Sequence, residues 1–289
     1  MVFQLKASFS ALLLAITLFG TLSSFTVVDA APIHPGPRSA STSVQVHPAH
    51  LRRGVNAKRG IAYETSSKPD PSHIANTAIS WLYNWGDTAP ANLPKGIEFV
   101  PMQWGKDGVD GFQAKVKASG AKYVLGFNEP ERPDQSNIPV ADAVTLFKQY
   151  LTPLRSQGIK VGAPAVSSAP EGQAWIKAFA QQCTDCFDFI PLHWYGTGSA
   201  NFLGYLDTMH KATELAKYQL WVTEFGDTTM NDPTTVKNFL TDTIKSMDGL
   251  SYVDRYSWFD YSTSTPGLQT NLLDPKTGGL NDLGTAYVA

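Results

Sequence analysis

The chain has 289 residues, two cysteines and a formal net charge of −2. This near-neutral balance argues against a nucleic-acid or anionic-membrane surface and favours a neutral partner. Without the N-terminal segments described next, about 230 residues remain, which is enough for one sizeable core and favours a single domain over two.

The N-terminus has the pattern of a secretory signal. A lysine at position 6 precedes a short apolar run, Ala11 to Phe19, and the small residue Ala30 suits signal-peptidase cleavage. The apolar run is too short for a membrane span. We therefore predict a signal peptide over residues 1–30 and a secreted protein, extracellular or in the cell wall, that contacts no membrane once the signal is removed.

Residues 31–59 are rich in Pro, Ser and His and lack a sustained period, which indicates a pro-segment or linker. The dibasic pair Lys58–Arg59 is either a processing site or solvated loop charge. The predicted domain then covers residues 60–289. Within it, Cys183 and Cys186 are compatible either with a short-loop disulfide or with two free thiols.

From position 59 onward, short apolar runs alternate with helical stretches. Several of the runs are continuously apolar, as expected for parallel strands buried on both faces. The runs are "RGIAYE", "ISWLYNWG", "IEFVPMQWG", "KYVLGFNEP", "IKVGAPAV", "FDFIPLHWYG", "YQLWVTEFG" and "DRYSWFDY".

Helical periodicity is clearest in two of the intervening segments. One apolar stripe runs from Val140 to Leu154 and stops at Gly158, and another runs from Val236 to Met247 after Asp232–Pro233. Eight rounds of strand and helix predict an α/β fold, a single-domain (β/α)8 TIM barrel. The alternative, an open doubly wound sheet, would need a glycine-rich turn after the first strand, and "AYETSSKPDP" has none.

Polar and aromatic residues are concentrated at the ends of these strands. In a barrel, active residues gather at the carboxyl ends of the strands, and flat aromatic faces beside amides and carboxylates suit sugars. The strand-end residues are Glu64, Asn84, Trp85, Gln103, Trp104, Asn128, Glu129, His193, Trp194, Tyr195, Glu224, Trp258 and Asp260.

Glu129 and Glu224 are the pair that indicates chemistry. They end the fourth and seventh runs, so they are three strands apart, roughly 14 Å along the barrel wall. The chord is shorter, and two side chains that reach inward can approach the ~5–5.5 Å of a retaining glycosidase, whereas ~6.5–9.5 Å would imply inversion. The sequence leaves this distance open.

Four motifs in order carry a family resemblance: "GFNEP", "LHWYG", "WVTEFG" and "RYSWF". They resemble glycoside hydrolase family 128 of clan A, largely fungal secreted enzymes that act on β-1,3-glucan, and the resemblance spans nearly all of residues 60–289. It implies that Glu129 is the general acid/base and Glu224 the nucleophile. It further implies that Asn128 holds the 2-hydroxyl of the cleaved sugar, with Tyr195 and His193 near the nucleophile.

The remaining predicted substrate-binding residues have structural alternatives. Trp85, Trp104 and Trp258 are assigned to sugar subsites, but each could be rim packing. Glu64 and Asn84 are assigned to the same cleft, where Glu64 could equally cap a loop; His193 could be a core histidine. No HxH, HExxH or clustered-carboxylate spacing occurs, so no metal and no cofactor are predicted.

The favoured function is therefore a secreted retaining endo-β-1,3-glucanase that acts as a monomer on β-1,3-glucan. A non-catalytic glucan-binding wall protein on the same barrel is the alternative from another class. Within the enzymes, a glycosidase of another β-linkage is the rival, because aromatic platforms do not encode linkage geometry.

Overall fold

The computed structural model describes residues 56–289, so the predicted signal peptide and most of the predicted linker lie outside the described residues. Eight parallel strands alternate with helices. The strands are β1 (Arg59–Tyr63), β2 (Trp81–Tyr83), β3 (Glu98–Phe99), β4 (Tyr123–Val124), β5 (Lys160–Val161), β6 (Phe189–Gly196), β7 (Gln219–Asp227) and β8 (Val253–Tyr261).

The strands form a closed ring. Six of them pair continuously in the order β3-β2-β1-β8-β7-β6, and β4 pairs with β5. Single parallel bridges join the two sheets: Met102 with Leu125 between β3 and β4, and Val166 with Leu192 between β5 and β6. The predicted (β/α)8 barrel is therefore confirmed.

The helices follow the later strands more regularly than the earlier ones. They are α1 (Val109–Ser119), α2 (Val140–Leu146), α3 (Pro170–Gln182), α4 (Ser199–Lys211), α5 (Pro233–Gly249) and α6 (Asp282–Val288). Residues 64–80, which connect β1 to β2, contain only a 3-10 turn at Pro71–Ile74, and residues 84–97 before β3 contain no helix. The predicted helix after each strand is thus wrong for the first two strands.

The predicted helix from Val140 to Leu154 changes its winding midway. After α2, residues Phe147–Leu151 form a π turn and Thr152–Gln157 a 3-10 segment. Pro153, which has no backbone N–H to donate, lies where the winding tightens. Gly158 ends the run in the left-handed conformation with φ of 80°, as the sequence pattern predicts.

The folded domain begins before residue 60. Arg59 is only 7% exposed, and its guanidinium donates to the carbonyls of Tyr287 and Ala289 at 2.8 and 2.7 Å. The Lys58 ammonium donates to the carbonyls of Met247 and Leu250. Cleavage after residue 59 would remove side chains that tie the first strand to the C-terminal end of the chain, and the domain boundary at that residue stays a prediction.

The barrel interior is filled with aromatic side chains below the carboxyl ends. Trp81 and Trp221 are fully buried there with ring centroids 5.3 Å apart. A Cβ on Gly60 would lie 2.1 Å from the Trp81 ring, so only glycine lets that indole cross the barrel. At the amino ends, the Arg255 guanidinium lies 4.5 Å from the Trp221 ring centroid and pairs with Glu98 at 2.7 Å.

Cys183 and Cys186 form a disulfide directly after α3, which selects one of the two states that the sequence left open. Both residues are buried, at 1% and 4% exposure. Among residues 56–289, no helix has the length and apolar character needed to cross a bilayer.

Candidate active site

The two predicted catalytic carboxylates meet at the carboxyl end of the barrel. Glu224 lies within β7, opposite His193 of β6 in the strand register. Glu129 follows β4, and its N–H donates to the Ala165 carbonyl at 2.7 Å. Its φ is +38°, an uncommon backbone conformation for a residue with a side chain, and one that the surrounding hydrogen bonds hold in place.

His193 lies between the two glutamates. Its Nδ1 is 2.9 Å from Oε1 of Glu129 and 3.4 Å from Oε2 of Glu224. One carboxylate oxygen of each glutamate and one His193 nitrogen all lie within 4.8 Å of one another. A proton on Nδ1 therefore faces both carboxylates at once.

Both oxygens of Glu224 accept hydrogen bonds. The Tyr195 hydroxyl donates to Oε2 at 2.6 Å, and the indole N–H of Trp85 donates to Oε1 at 2.7 Å. Burial raises the pKa of Glu224, and the charge of Glu129 adds to this. The charge of His193 and the bonds from Tyr195 and Trp85 oppose the increase because they stabilise the carboxylate form.

The electrostatics of His193 are set by the same carboxylates. Its side chain is 1% exposed, and burial by itself would lower its pKa because the charged form loses its water. The charges of Glu224 and Glu129, together with the hydrogen bond to Glu129, outweigh burial, and the pKa of His193 is raised. The protonated, positively charged form of the imidazole is thus favoured between the two carboxylates.

The backbone that carries Glu224 is anchored from inside the barrel. The hydroxyls of Tyr83 and Ser257 both donate to the carbonyl of Thr223, at 2.9 and 2.5 Å. Tyr83 is fully buried, and burial followed by the charge of Glu224 raises its pKa well above the usual value. A neutral phenol therefore stands below the carboxylate and keeps its strand in place.

Asp260, at the end of β8, is a further buried carboxyl at this end of the barrel. It is 3% exposed and accepts a 2.5 Å hydrogen bond from the Ser262 hydroxyl. Burial, with smaller contributions from the charges of Glu64 and Glu224, raises the pKa of Asp260 to about 7. The Asp260 carboxyl therefore changes charge within the pH range in which enzymes ordinarily work.

Asn128 precedes Glu129 in the chain, and Trp104 follows β3. The Asn128 amide donates to Oε1 of Gln135 at 3.1 Å, while its own oxygen Oδ1 is buried without a hydrogen-bond partner among the described residues. Trp104 is half-buried and packs on the barrel-interior cluster. A buried acceptor with no partner is uncommon and suits a ligand hydroxyl.

Two other predicted residues organise loops. The carboxylate of Glu64 accepts from the N–H groups of Ser66 and Ser67 at 2.6 and 3.1 Å, which is the capping alternative and lowers its pKa. The Asn84 side chain donates to the Thr88 carbonyl and accepts from Gly86 N–H. Hydrogen bonds within their own loops thus engage both side chains.

Trp258 is a correction. Its side chain is 0% exposed, it donates to the Thr270 carbonyl at 2.7 Å, and its ring packs edge-on against Phe225. It therefore belongs to the layer between barrel and helices and has no face for a sugar. Its neighbour Phe259, which is half-buried, instead contacts the rings of Trp85 and Tyr195 edge-on.

Phe259 and Arg132 also lie beside the site, although the sequence patterns did not select them as site residues. Phe259 could have been found from strand alternation, because Ser257 two residues earlier points into the barrel. Arg132 lies three residues after Glu129, with Nε 3.4 Å from its Oε2, and no pattern in the sequence signals that contact.

The cluster of His193 and the two glutamates also bears on whether the site could hold a metal ion. A nitrogen of His193 and an oxygen from each glutamate, within 4.8 Å of one another, would suit a metal ion as well as a hydrogen-bonded link. His193 Nδ1 lies at hydrogen-bonding distance from Glu129. The expectation that no metal or cofactor is used stays a prediction.

Comparison with known proteins gives consistent results. A family model described as glycosyl hydrolase catalytic core matches residues 60–287. The alkali-sensitive linkage protein 1 of Schizosaccharomyces pombe is 34% identical over 249 residues, which is 81% of this chain and 45% of that protein. The chain therefore spans less than half the length of this relative.

Solved structures agree in fold over most of the chain. A curdlan-specific exo-β-1,3-glucanase of family 128, subgroup III, from Blastomyces gilchristii in complex with glucose is 31% identical, with a TM-score of 0.69 over 80% of this chain and 97% of that chain. An endo-β-1,3-glucanase of subgroup I from Amycolatopsis mediterranei in complex with laminaritriose is 30% identical, with a TM-score of 0.68 over 80% and 98%.

A closed barrel with two facing glutamates at the ends of β4 and β7 has the fold and site of a barrel glycoside hydrolase. The matching family model and the similar solved structures narrow that class to one family. The chain belongs to glycoside hydrolase family 128.

Proposed function

We propose that this chain is a secreted, retaining endo-β-1,3-glucanase. The observation that carries the mechanism is the separation of the two carboxylates, with one oxygen of Glu129 and one of Glu224 within 4.8 Å. Retaining enzymes hold their carboxyl groups ~5–5.5 Å apart, whereas inverting enzymes need ~6.5–9.5 Å to admit a water. The short gap supports attack by a carboxylate.

In this proposal Glu224 attacks the anomeric carbon while Glu129 protonates the departing glycosidic oxygen. The glycosyl–enzyme ester is then cleaved by water, which Glu129, now a base, deprotonates. Tyr195 and Trp85 each donate to one oxygen of Glu224, which supports a nucleophile fixed in orientation and kept ionised. These two bonds support the proposal that Glu224, and not Glu129, is the nucleophile.

Binding of the sugar uses the remaining polar and aromatic groups. The unpartnered Oδ1 of Asn128 accepts a hydroxyl hydrogen from the sugar that is cleaved, consistent with the 2-hydroxyl role that the family resemblance implies. Trp104 offers a partly exposed indole face for the C–H surface of a neighbouring unit. The neutral groups Asn128 and Trp104 favour an uncharged glucan as the substrate class.

The β-1,3 linkage is inferred from the relatives. Structural neighbours named endo-β-1,3-glucanases come from subgroups I, II and IV, and neighbours named exo-β-1,3-glucanases come from subgroups III and VI. Endo action is our proposal among the two, together with secretion, a monomeric state and no cofactor. No specific observation favours the non-catalytic wall protein, since both carboxylates are present and converge.

The test is the product profile of the purified protein on laminarin, with cellulose and lichenan as linkage controls. We expect a ladder of laminari-oligosaccharides early in the reaction, whereas glucose as the sole early product would replace endo with exo action. Proton NMR of the first product should show the β-anomer, and an initial α-anomer would refute the nucleophile role of Glu224. Failure to cleave any of the three glucans would refute the hydrolase.

A further inference from the structure

Arg132 contacts the proposed acid/base through a fixed turn. Its N–H donates to the Glu129 carbonyl at 3.0 Å, and Ile138 N–H donates to the Pro130 carbonyl at 2.9 Å. The backbone from Glu129 to Ile138 is thereby wound tightly onto itself. Within this loop the Arg132 side chain is 38% exposed, so the side chain can change position while the backbone stays in place.

The guanidinium has two acidic neighbours but is weakly held. Its Nε lies 3.4 Å from Oε2 of Glu129, without the geometry of a hydrogen bond, and is buried with no hydrogen-bond partner among the described residues. Its Nη2 donates to Oδ2 of Asp134, an exposed residue, at 3.1 Å. The guanidinium makes no hydrogen bond to Glu129, and its one hydrogen bond goes to an exposed carboxylate, so a sugar hydroxyl can take the place of Glu129 as its partner.

The two oxygens of Glu129 have different surroundings. Oε1 is 2.9 Å from His193, whose side chain is 1% exposed, so this oxygen faces the barrel interior. Oε2 faces Arg132, the more exposed partner. A general acid has to present its proton to the glycosidic oxygen, and Oε2 is the oxygen that a substrate can reach once the guanidinium moves aside.

We propose that Arg132 is a positioning residue on the leaving-group side of the cleft: it holds Oε2 of Glu129 in the empty site and turns to the hydroxyls of the leaving sugar when glucan binds. This inference rests on the proposed acid/base role of Glu129. The exchange frees Oε2 of Glu129 for the glycosidic oxygen, because the guanidinium leaves that position as it turns to the hydroxyls of the leaving sugar.

Several ionisable groups act on Glu129, and only one is easily reached from solvent. His193, Glu224, Tyr195 and Tyr83 act from β6, β7 and β2, and Tyr205 acts from α4; all are buried. Glu131 acts from the same loop and is engaged by the Ser167 N–H at 2.8 Å. A substitution of Arg132 therefore removes no buried side chain from the barrel interior.

The test compares Arg132→Gln and Arg132→Lys on two substrates. Laminarihexaose places a sugar on the leaving-group side and needs a proton, whereas a 2,4-dinitrophenyl β-laminaribioside has neither requirement. For Arg132→Gln we expect kcat/KM on the hexaose to fall about tenfold, the value of one hydrogen bond from a charged group. The dinitrophenyl substrate should change less than twofold, and Arg132→Lys should recover part of the loss on the hexaose.

Equal losses on both substrates would mean that Arg132 is merely structural, and unchanged kinetics on both would also overturn the inference. Glu129→Gln is measured alongside as the control for the mechanism. It should lower kcat/KM for the hexaose far more than kcat/KM for dinitrophenol release, because kcat/KM reports the first step and dinitrophenol leaves without a proton. If it lowered both kcat/KM values equally, the acid role of Glu129 itself would fail, whatever Arg132 does.

Discussion

The indole N–H of Trp85, at the end of β2, donates to Oε1 of Glu224 in β7 at 2.7 Å. This bond joins elements that are 139 residues apart in the chain and fixes the carboxylate from the side opposite Tyr195. Trp85, which the sequence assigns to a sugar subsite, is thus also a direct hydrogen-bond donor to the proposed nucleophile.

Trp85→Phe should therefore impair turnover. The change keeps an aromatic ring beside Tyr83 and Phe259 but removes the donor. A hydrogen bond to a charged group is worth about 1.5–3 kcal/mol, so we expect kcat on laminarin to fall roughly tenfold to a hundredfold. The control is Trp175→Phe in α3, which removes a bond to the Ile138 carbonyl and should lower the melting temperature with little effect on kcat.

Removing either of the proposed catalytic carboxylates should abolish most activity. Glu224→Gln and Glu129→Gln keep side-chain shape but lose the nucleophile or the proton donor, and loss of general acid–base catalysis alone costs about 10²–10⁴-fold. Laminarin hydrolysis should fall by at least this factor while laminarihexaose binding by calorimetry persists. Glu214→Gln, on the surface beside Gln181, is the matched control and should leave hydrolysis at the wild-type rate.

The sequence predicts that Glu129 and Glu224 converge, because parallel strands end at one rim of a barrel, and in the structure one oxygen of each lies within 4.8 Å of the other. It could not place Trp258, because position at a strand end does not state on which face of the strand a residue lies. In β8 the side chain of Ser257 points inward, whereas Tyr256 and Trp258 lie in the outer layer. Position at a strand end therefore predicted the correct end of the barrel for Trp258 but the wrong face of its strand.

Other features depend on structure that no local pattern reports. The barrel itself follows from eight buried runs, yet the connections after β1 and β2 lack helices because their sequences carry no apolar helical stripe. Arg132 approaches Glu129 only because a turn brings the two side chains together. The roles of His193 and Tyr83 likewise depend on distances across the barrel.

The two tryptophans Trp258 and Trp104 should separate packing from binding. Trp258→Ala removes a fully buried indole, so we expect a loss of about 3–5 kcal/mol in the free energy of unfolding. Trp104→Ala removes a partly exposed ring and should raise KM for long laminari-oligosaccharides with little change in stability. Urea denaturation and steady-state kinetics on both variants measure the difference. An unchanged KM for Trp104→Ala would remove Trp104 from the subsite.

Asp260 should make stability depend on pH in a predictable direction. Its pKa is about 7 in the folded protein and about 3.9 in an unfolded chain, so the folded state binds the proton more tightly. The cost of ionising the buried carboxyl is absent below about pH 4, grows as pH rises towards 7, and is complete above it. Since the group is 3% exposed, three pKa units set an upper value of about 4 kcal/mol.

Asp260→Asn removes this cost at every pH. The stability of the variant relative to the wild type should therefore increase between about pH 4 and 7 and then level off, as measured by urea denaturation across that range. Asp188→Asn is the control of opposite sign, because the hydrogen bonds from Val161 N–H and Arg155 lower the pKa of Asp188 against the effect of burial. That variant should lose stability at neutral pH and approach the wild type in acid. Parallel curves for Asp260→Asn and the wild type would mean that Asp260 is ionised throughout, stabilised by contacts beyond the Ser262 hydroxyl.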